Sequence, residues 1–310
     1  MDFFLAIISL FITYTILIVI QKYFLKNNIV DNIVSRSSHN SVATRSGGLS
    51  IFTTLFLLST YFYLDGKILF DYSLIVPLLL LATVGIYDDI NNLDFKLKFI
   101  FQIIAAKIII DNGLIIDNLH GFLGVYDITR VIAQLLTIFI IVSIINAVNF
   151  IDGIDGLAIL ILIIFLISFE FYAYKITPFK NLSIILISSL IVTSFLNFRK
   201  KNKVFLGDSG SLFLGGVASI YIVYILSNEY IIKPDFDLHK IIFVFSIFIY
   251  PSIDIIRIVF LRIINGSSPF QPDKNHIHHI ILKKTKSHVI TTLLISCFTI
   301  FTMSLLQLIF

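Results

Sequence analysis

The chain has 310 residues, of which 57% are hydrophobic and only 14% charged, with a mean hydropathy of +0.97 and a formal net charge of +4. That balance excludes a water-soluble domain of this length and describes an all-α polytopic membrane protein, with membrane lipid as its surroundings and no nucleic acid among its expected partners. The lone cysteine, Cys297, can form no internal disulfide, so the fold must rest on helix packing.

Apolar runs long enough to approach or cross a hydrocarbon core of roughly 30 Å fall near 2–20, 48–64, 74–87, 97–111, 129–147, 157–174, 181–197, 210–227, 240–262 and 289–310, which predicts about ten transmembrane helices in a single domain, 1–310. The first run has no basic stretch before it and no small-residue cleavage site before Lys22, so it reads as an uncleaved span rather than a leader. The third and fourth runs are short for a full crossing. Between the fourth and fifth, residues 112–127 set Gly113, Gly121 and Gly124 among alternating apolar positions, the pattern of a small hairpin on the outer face.

Ten spans put the connections after odd-numbered spans on one side of the membrane. Sixteen of the 23 lysines and arginines lie in those connections or at their edges, among them Lys22, Arg45, Lys98, the Arg199–Lys203 run and Lys283 to Lys286. The positive-inside rule therefore makes that side cytoplasmic and places both termini outside.

The acidic and histidine-bearing clusters fall on the same side, although none was used to count spans. Asp88-Asp89, with Asn91 and Asn92 behind them, close the third run and offer the hard oxygen donors that Mg²⁺ accepts while it keeps waters and substrate phosphates. An acidic pair at a helix C-terminus opposes the macrodipole and needs some other justification. Asn146 to Leu157 places Asn146, Asn149, Asp152 and Asp155 at the end of the fifth run. The two aspartates share a face if helical, while Gly153 and Gly156 suit a tight loop and helix start equally well. Gly207-Asp208-Ser209-Gly210-Ser211 opens the eighth run behind the basic segment, where Asp208 is a candidate metal ligand and Phe205 is placed to stack on a base; N-capping of a glycine-packed helix is the plainer alternative. His276, His278 and His279 lie in the last polar loop beyond Asp254, Arg257 and Arg262, and read as an anion-binding loop or a zinc site, with the former favoured because no cysteine is available there.

Five pieces in this order resemble one family. They are Arg36-Ser37-Ser38-His39 with Gly47-Gly48; Gly85-Ile86-Tyr87-Asp88-Asp89 with Lys98 and Gln102; Asn146 to Ala158; Phe205 to Ser211; and Ser268-Pro269-Phe270 through His279. The chain is similar over nearly its whole length to the polyprenyl-phosphate N-acetylhexosamine-1-phosphate transferases. Ile277 within the histidine group is similar to the branch containing bacterial undecaprenyl-phosphate GlcNAc-1-phosphate transferases and the O-antigen initiating enzymes, rather than to the MurNAc-pentapeptide branch. The first loop departs from the family, with Asn32, Val42 and Ala43 where relatives commonly carry prolines.

The resemblance implies a reaction between a UDP-N-acetylhexosamine and undecaprenyl phosphate at the cytoplasmic face of a bacterial inner membrane. The sugar 1-phosphate moves to the lipid with release of UMP, as the initiating step of a cell-surface polysaccharide. It implies Mg²⁺, or Mn²⁺ in its place, held by Asp208 with Asp88 and Asp89, one of which could instead activate the lipid phosphate. It implies Lys98 on the lipid phosphate, Asn149, Asp152, Asp155 and Phe205 around the uridine, His276, His278 and His279 on the diphosphate, and Asn146 among the substrate-binding residues. A homodimer stays open. A Mg²⁺-dependent membrane prenyltransferase would also show paired aspartates but should not need the histidines. A transporter would carry its carboxylates near the bilayer midplane, not at one edge.

Overall fold

The computed structural model describes residues 2–27, 29–30, 43–227, 229–233, 238–264, 266 and 276–309. The segments Arg36-Ser37-Ser38-His39 and Ser268-Pro269-Phe270 lie outside the described residues. Among those described, each apolar run is a helix: α1 (Asp2–Lys26), α2 (Gly47–Leu64), α3 (Ile75–Asn91), α4 (Phe95–Asp111), α5 (Arg130–Ile151), α6 (Leu157–Tyr172), α7 (Lys180–Asn197), α8 (Gly207–Leu226) and α9 (Leu238–Ile264), followed by a short α10 (Ile277–Thr285) and then α11 (His288–Ile309). The protein is an all-α, multi-pass membrane protein.

Eight of these helices are long and apolar enough to cross a membrane. The expected shortness of the third span is relieved by a 3-10 turn at Tyr72–Leu74, which makes a continuous stretch of 20 residues with α3. The two short helices are α4, with 17 residues, and α6, with 16. The run at 157–174 loses its last residues because the chain turns extended at Ala173 (φ −66°, ψ 121°).

Helix α8 is the axis of the bundle. Every residue from Ser209 to Ile225 is buried, and α3, α5 and α2 pack most closely around it. Small residues permit this approach, as they do wherever membrane helices pack through dispersion forces. A Cβ on Gly48 of α2 would lie 2.0 Å from the Gly210 Cα of α8, and one on Gly85 of α3 would lie 2.5 Å from the Ser209 backbone.

Contacts between chain-distant elements define two ends. At one, Asp2 pairs with Lys180, His120 Nε2 meets the last α8 carbonyl, Leu226 O, at 2.7 Å, and the expected hairpin is present, with Asn118 and Asp127 bridged antiparallel. At the other, β1 (Ala43–Thr44) and β2 (Lys203–Val204) form a parallel pair. The carbonyls that follow β2 then serve the start of α2: Gly47 N donates to Phe205 O at 2.9 Å and Gly48 N to Leu206 O at 3.0 Å. Two of the N–H groups that a helix N-terminus leaves unpaired are thus satisfied by the strand leading into α8. All the acidic and histidine clusters collect at this second end.

Candidate active site

Four helix ends bring four polar side chains together. Asp88 comes from the last turn of α3, Lys98 from the first turn of α4, Asn149 from the last turn of α5 and Asp208 from the first turn of α8. The Lys98 ammonium pairs with Asp88 Oδ2 and lies 3.4 Å from Asp208 Oδ2. Asn149 Nδ2 donates to Asp208 Oδ1 at 2.7 Å and to Ser211 Oγ at 2.8 Å. Asp208 is thereby held at both oxygens by groups from two other helices, and its carboxylate is aimed rather than free to turn.

Asp89 is adjacent in sequence but does different work. Its Oδ1 accepts from Asp208 N at 2.9 Å and its Oδ2 from Ser209 N at 3.0 Å, with Arg45 Nη1 3.5 Å from Oδ1. A carboxylate on the first N–H groups of a helix is favoured by both hydrogen bonding and the macrodipole. The unfavourable acidic end of α3 is therefore the capping group of α8. Gly207, at φ +71°, makes room, since a Cβ there would stand 2.6 Å from Asp89 Oδ2.

The rest of the expected constellation is distributed around this centre. The segment after α5 is a loop, closed at Gly156 (φ +73°), and not a continuing helix. Asp152 keeps some exposed surface, yet burial of its carboxyl, and then the negative charge of Asp208, push it well above the ordinary carboxylate range. Asp155 points away into a buried ion pair with Lys203 of β2. Its backbone N–H meets His288 Nδ1 at 3.2 Å and its carbonyl accepts from Thr292 Oγ1 at 2.8 Å, so it ties the loop to α11. Asn146 forms a reciprocal amide pair with Gln102, donating at 2.7 Å, and braces α5 against α4. Phe205 is fixed through its backbone, whose N–H donates to Thr44 O at 2.8 Å.

The histidines lie at the start of α10, a short helix where the sequence predicts a polar loop. His276 is its N-cap residue, and its Nδ1 lies 2.9 Å from Asp254 Oδ2 of α9. His278 is buried, with Nδ1 2.8 Å from Tyr250 Oη; a Cβ on Gly153 would lie 2.7 Å from its Nε2. His278 is therefore the contact that seats α10 on the Asp152–Asp155 loop. The rings of His278 and His279 lie 4.4 Å apart, and that of His276 lies 5.9 Å from Phe150.

Desolvation, and then the charge of its two histidine neighbours, push His278 from the usual 6.5 down to about 3. Its proton is taken up more readily when α10 is detached than when it is docked. Stability from this group is thus whole above pH 6.5 and declines as the pH falls from there toward 3, by at most about 1.4 kcal/mol per unit. Hydrogen exchange of the α10 amides should report a smaller opening free energy at pH 5 than at pH 7, and His278→Gln should flatten the difference. Equal opening free energies at both pH values in the unaltered protein would refute this.

The donor set suits a hard divalent cation. Two carboxylates with one ammonium between them leave excess negative charge, and among the described residues no group of three or more His, Cys, Asp or Glu side chains forms a closed metal cage. An ion that retains waters and takes substrate phosphates as ligands fits such an incomplete shell. Asp88 and Asp208 share the Lys98 ammonium and are placed to hold that ion, with Asp88 Oδ1 also accepting from Leu93 N at 2.6 Å, whereas both Asp89 oxygens are taken by the backbone N–H groups that open α8.

The glycosyl transferase family 4 profile matches residues 72–226, a stretch that runs from α3 through α8 and contains Asp88, Lys98, Asn149 and Asp208. The chain belongs to that family. It is 32% identical over 305 residues to a probable undecaprenyl-phosphate N-acetylglucosaminyl 1-phosphate transferase of Bacillus subtilis, covering 93% of this chain and 79% of the relative. It is 32% identical over 263 residues to an undecaprenyl-phosphate alpha-N-acetylglucosaminyl 1-phosphate transferase of Haemophilus influenzae, covering 82% and 72%. A decaprenyl-phosphate N-acetylglucosaminephosphotransferase of Mycobacterium leprae is 30% identical over 286 residues, covering 84% and 71%.

Residues that the sequence reading gave no role include Ser211, Lys203, Tyr250 and, as partner of Asn146, Gln102. Of these, Lys203 was visible only as one charge in a basic run. Its partner lies 48 positions away, and no local pattern announces the pairing.

Proposed function

We propose that this member of glycosyl transferase family 4 transfers an N-acetylhexosamine 1-phosphate from a UDP-sugar to a polyprenyl phosphate, with release of UMP, at the cytoplasmic face of a bacterial plasma membrane. The observation that carries this reading is the convergence of Asp88, Lys98, Asn149 and Asp208 from four helices at one end of a membrane bundle. A lipid-borne phosphate and a water-soluble nucleotide can meet only at such an edge. The relatives' names supply the acceptor class and make UDP-GlcNAc the first donor to test.

In this reading an oxygen of the lipid phosphate attacks the phosphorus that bears the sugar, and the bond to the UMP oxygen breaks. The protein's task is positioning and charge neutralisation, as in other phosphoryl transfers. Lys98 holds the lipid phosphate, Asn149 keeps Asp208 turned toward the centre, and His276 and His279 meet the donor diphosphate. Phe205 stacks on uracil, with Asp152 beside the nucleoside. A Mg²⁺ ion on Asp208 and Asp88 would neutralise pyrophosphate charge and stabilise the leaving UMP.

Purified protein given undecaprenyl phosphate, Mg²⁺ and a panel of UDP-sugars should release UMP with one or a few donors. No UMP from any donor, with pyrophosphate released from a prenyl diphosphate instead, would favour a prenyltransferase. The sidedness has its own test. A cysteine introduced at exposed Lys284 in a Cys297→Ser background should be protected from a membrane-impermeant thiol reagent in intact cells and react after lysis. Labelling of intact cells would move the site outside.

A further inference from the structure

Asp254 lies in the interior of α9, buried, and no carboxylate is left at such a place without compensation. Its Oδ1 accepts from Ile277 N at 2.9 Å and from Arg257 Nη2 at 3.2 Å, while its Oδ2 stands 2.9 Å from His276 Nδ1. The one side chain thus fixes both the backbone and the ring of His276, the residue at which α10 begins.

An imidazole whose Nδ1 donates to a carboxylate has its tautomer and ring plane set, and presents Nε2 to whatever lies beyond. Tyr250, one turn earlier on α9, hydrogen-bonds His278 Nδ1 at 2.8 Å through a hydroxyl that can donate or accept. The difference is in where the rings lead: His278 Nε2 is covered by Gly153, while His276 stands beside Phe150, at the end of α5 that carries Asn149.

We propose that Asp254 is a positioning residue, which holds His276 with Nε2 directed at the donor diphosphate. The inference rests on the transferase reading above. A purely structural carboxylate would serve the start of α10 and no more. Asparagine separates the two roles, because its carbonyl oxygen can still accept from Ile277 N–H, whereas its amide nitrogen cannot accept from His276 Nδ1–H.

Asp254→Asn should retain the melting temperature in detergent and lose roughly 10- to 100-fold in kcat/KM for the UDP-sugar, by analogy with the loss when the carboxylate partner of a metal-ligating histidine is removed. His276→Ala should lose a similar factor. The double variant should fall within about twofold of the worse single one, since the two act through one group. Added imidazole should restore activity to His276→Gly, but not to His276→Gly combined with Asp254→Asn. Losses that multiply in the double variant, a fully active Asp254→Asn, or imidazole rescue indifferent to Asp254 would each overturn the positioning role. Wild-type protein that releases no UMP would instead remove the transferase reading, and this role with it.

Discussion

Asp208→Asn should lower turnover at least about a hundredfold, in line with losing a charge-stabilising group, while the protein inserts and purifies as before. Asn149 can still donate to the remaining carbonyl oxygen at this position, so the local packing survives. What is lost is the charge beside Lys98, where Asp208 Oδ2 stands 3.4 Å from the ammonium, and with it one of the two carboxylates able to hold a divalent cation. UMP release at saturating Mg²⁺ is the measurement, and near-normal turnover would take Asp208 out of the site. The neighbouring Asp89→Ala should behave differently. It removes both acceptors from the start of α8 and should cost about 1 kcal/mol of stability, as a lost helix cap does.

Gly85→Val should prevent accumulation of folded protein altogether. The Cβ alone would stand 2.4 Å from Asp208 O and 2.5 Å from the Ser209 backbone, and neither can swing aside as the end of a flexible side chain could. The helices α3 and α8 would have to separate, at or beyond the upper end of the roughly 1–3 kcal/mol that overpacking usually costs. Because Gly85 lies one turn before Asp89, that separation would also draw the carboxylate off the first N–H groups of α8. A monodisperse detergent-solubilised variant with an unchanged melting temperature would show that this interface is looser than its geometry indicates.

The helices were legible because membrane burial writes itself into composition: each of the ten apolar runs is a helix, and the acidic clusters sit at its edges. The hairpin was legible from Gly113, Gly121 and Gly124. The helix α10 was not, since nine residues carrying two histidines and two lysines have neither the length nor the apolar stripe of a span. Its fold depends on Asp254 and Tyr250, more than 20 positions upstream. The acidic pair was recognised as a site but not divided into its parts. Whether Asp88 or Asp89 faces the centre depends on which one meets the start of α8, and that is settled by Gly85 and Ser209 touching, an approach between residues far apart in the chain. The same holds for Asp155, whose part in anchoring α11 is set by Lys203, His288 and Thr292.

A helix enclosed by protein along its whole length must first pass through lipid and then leave it. In the order of synthesis α8 emerges after α1 to α7, so α2, α3 and α5 are made before the helix they pack around. Until α8 has been made, the Asp89 carboxylate has no helix start to serve. The contacts of α2, α3 and α5 with α8 therefore cannot be completed until residue 226 has been made.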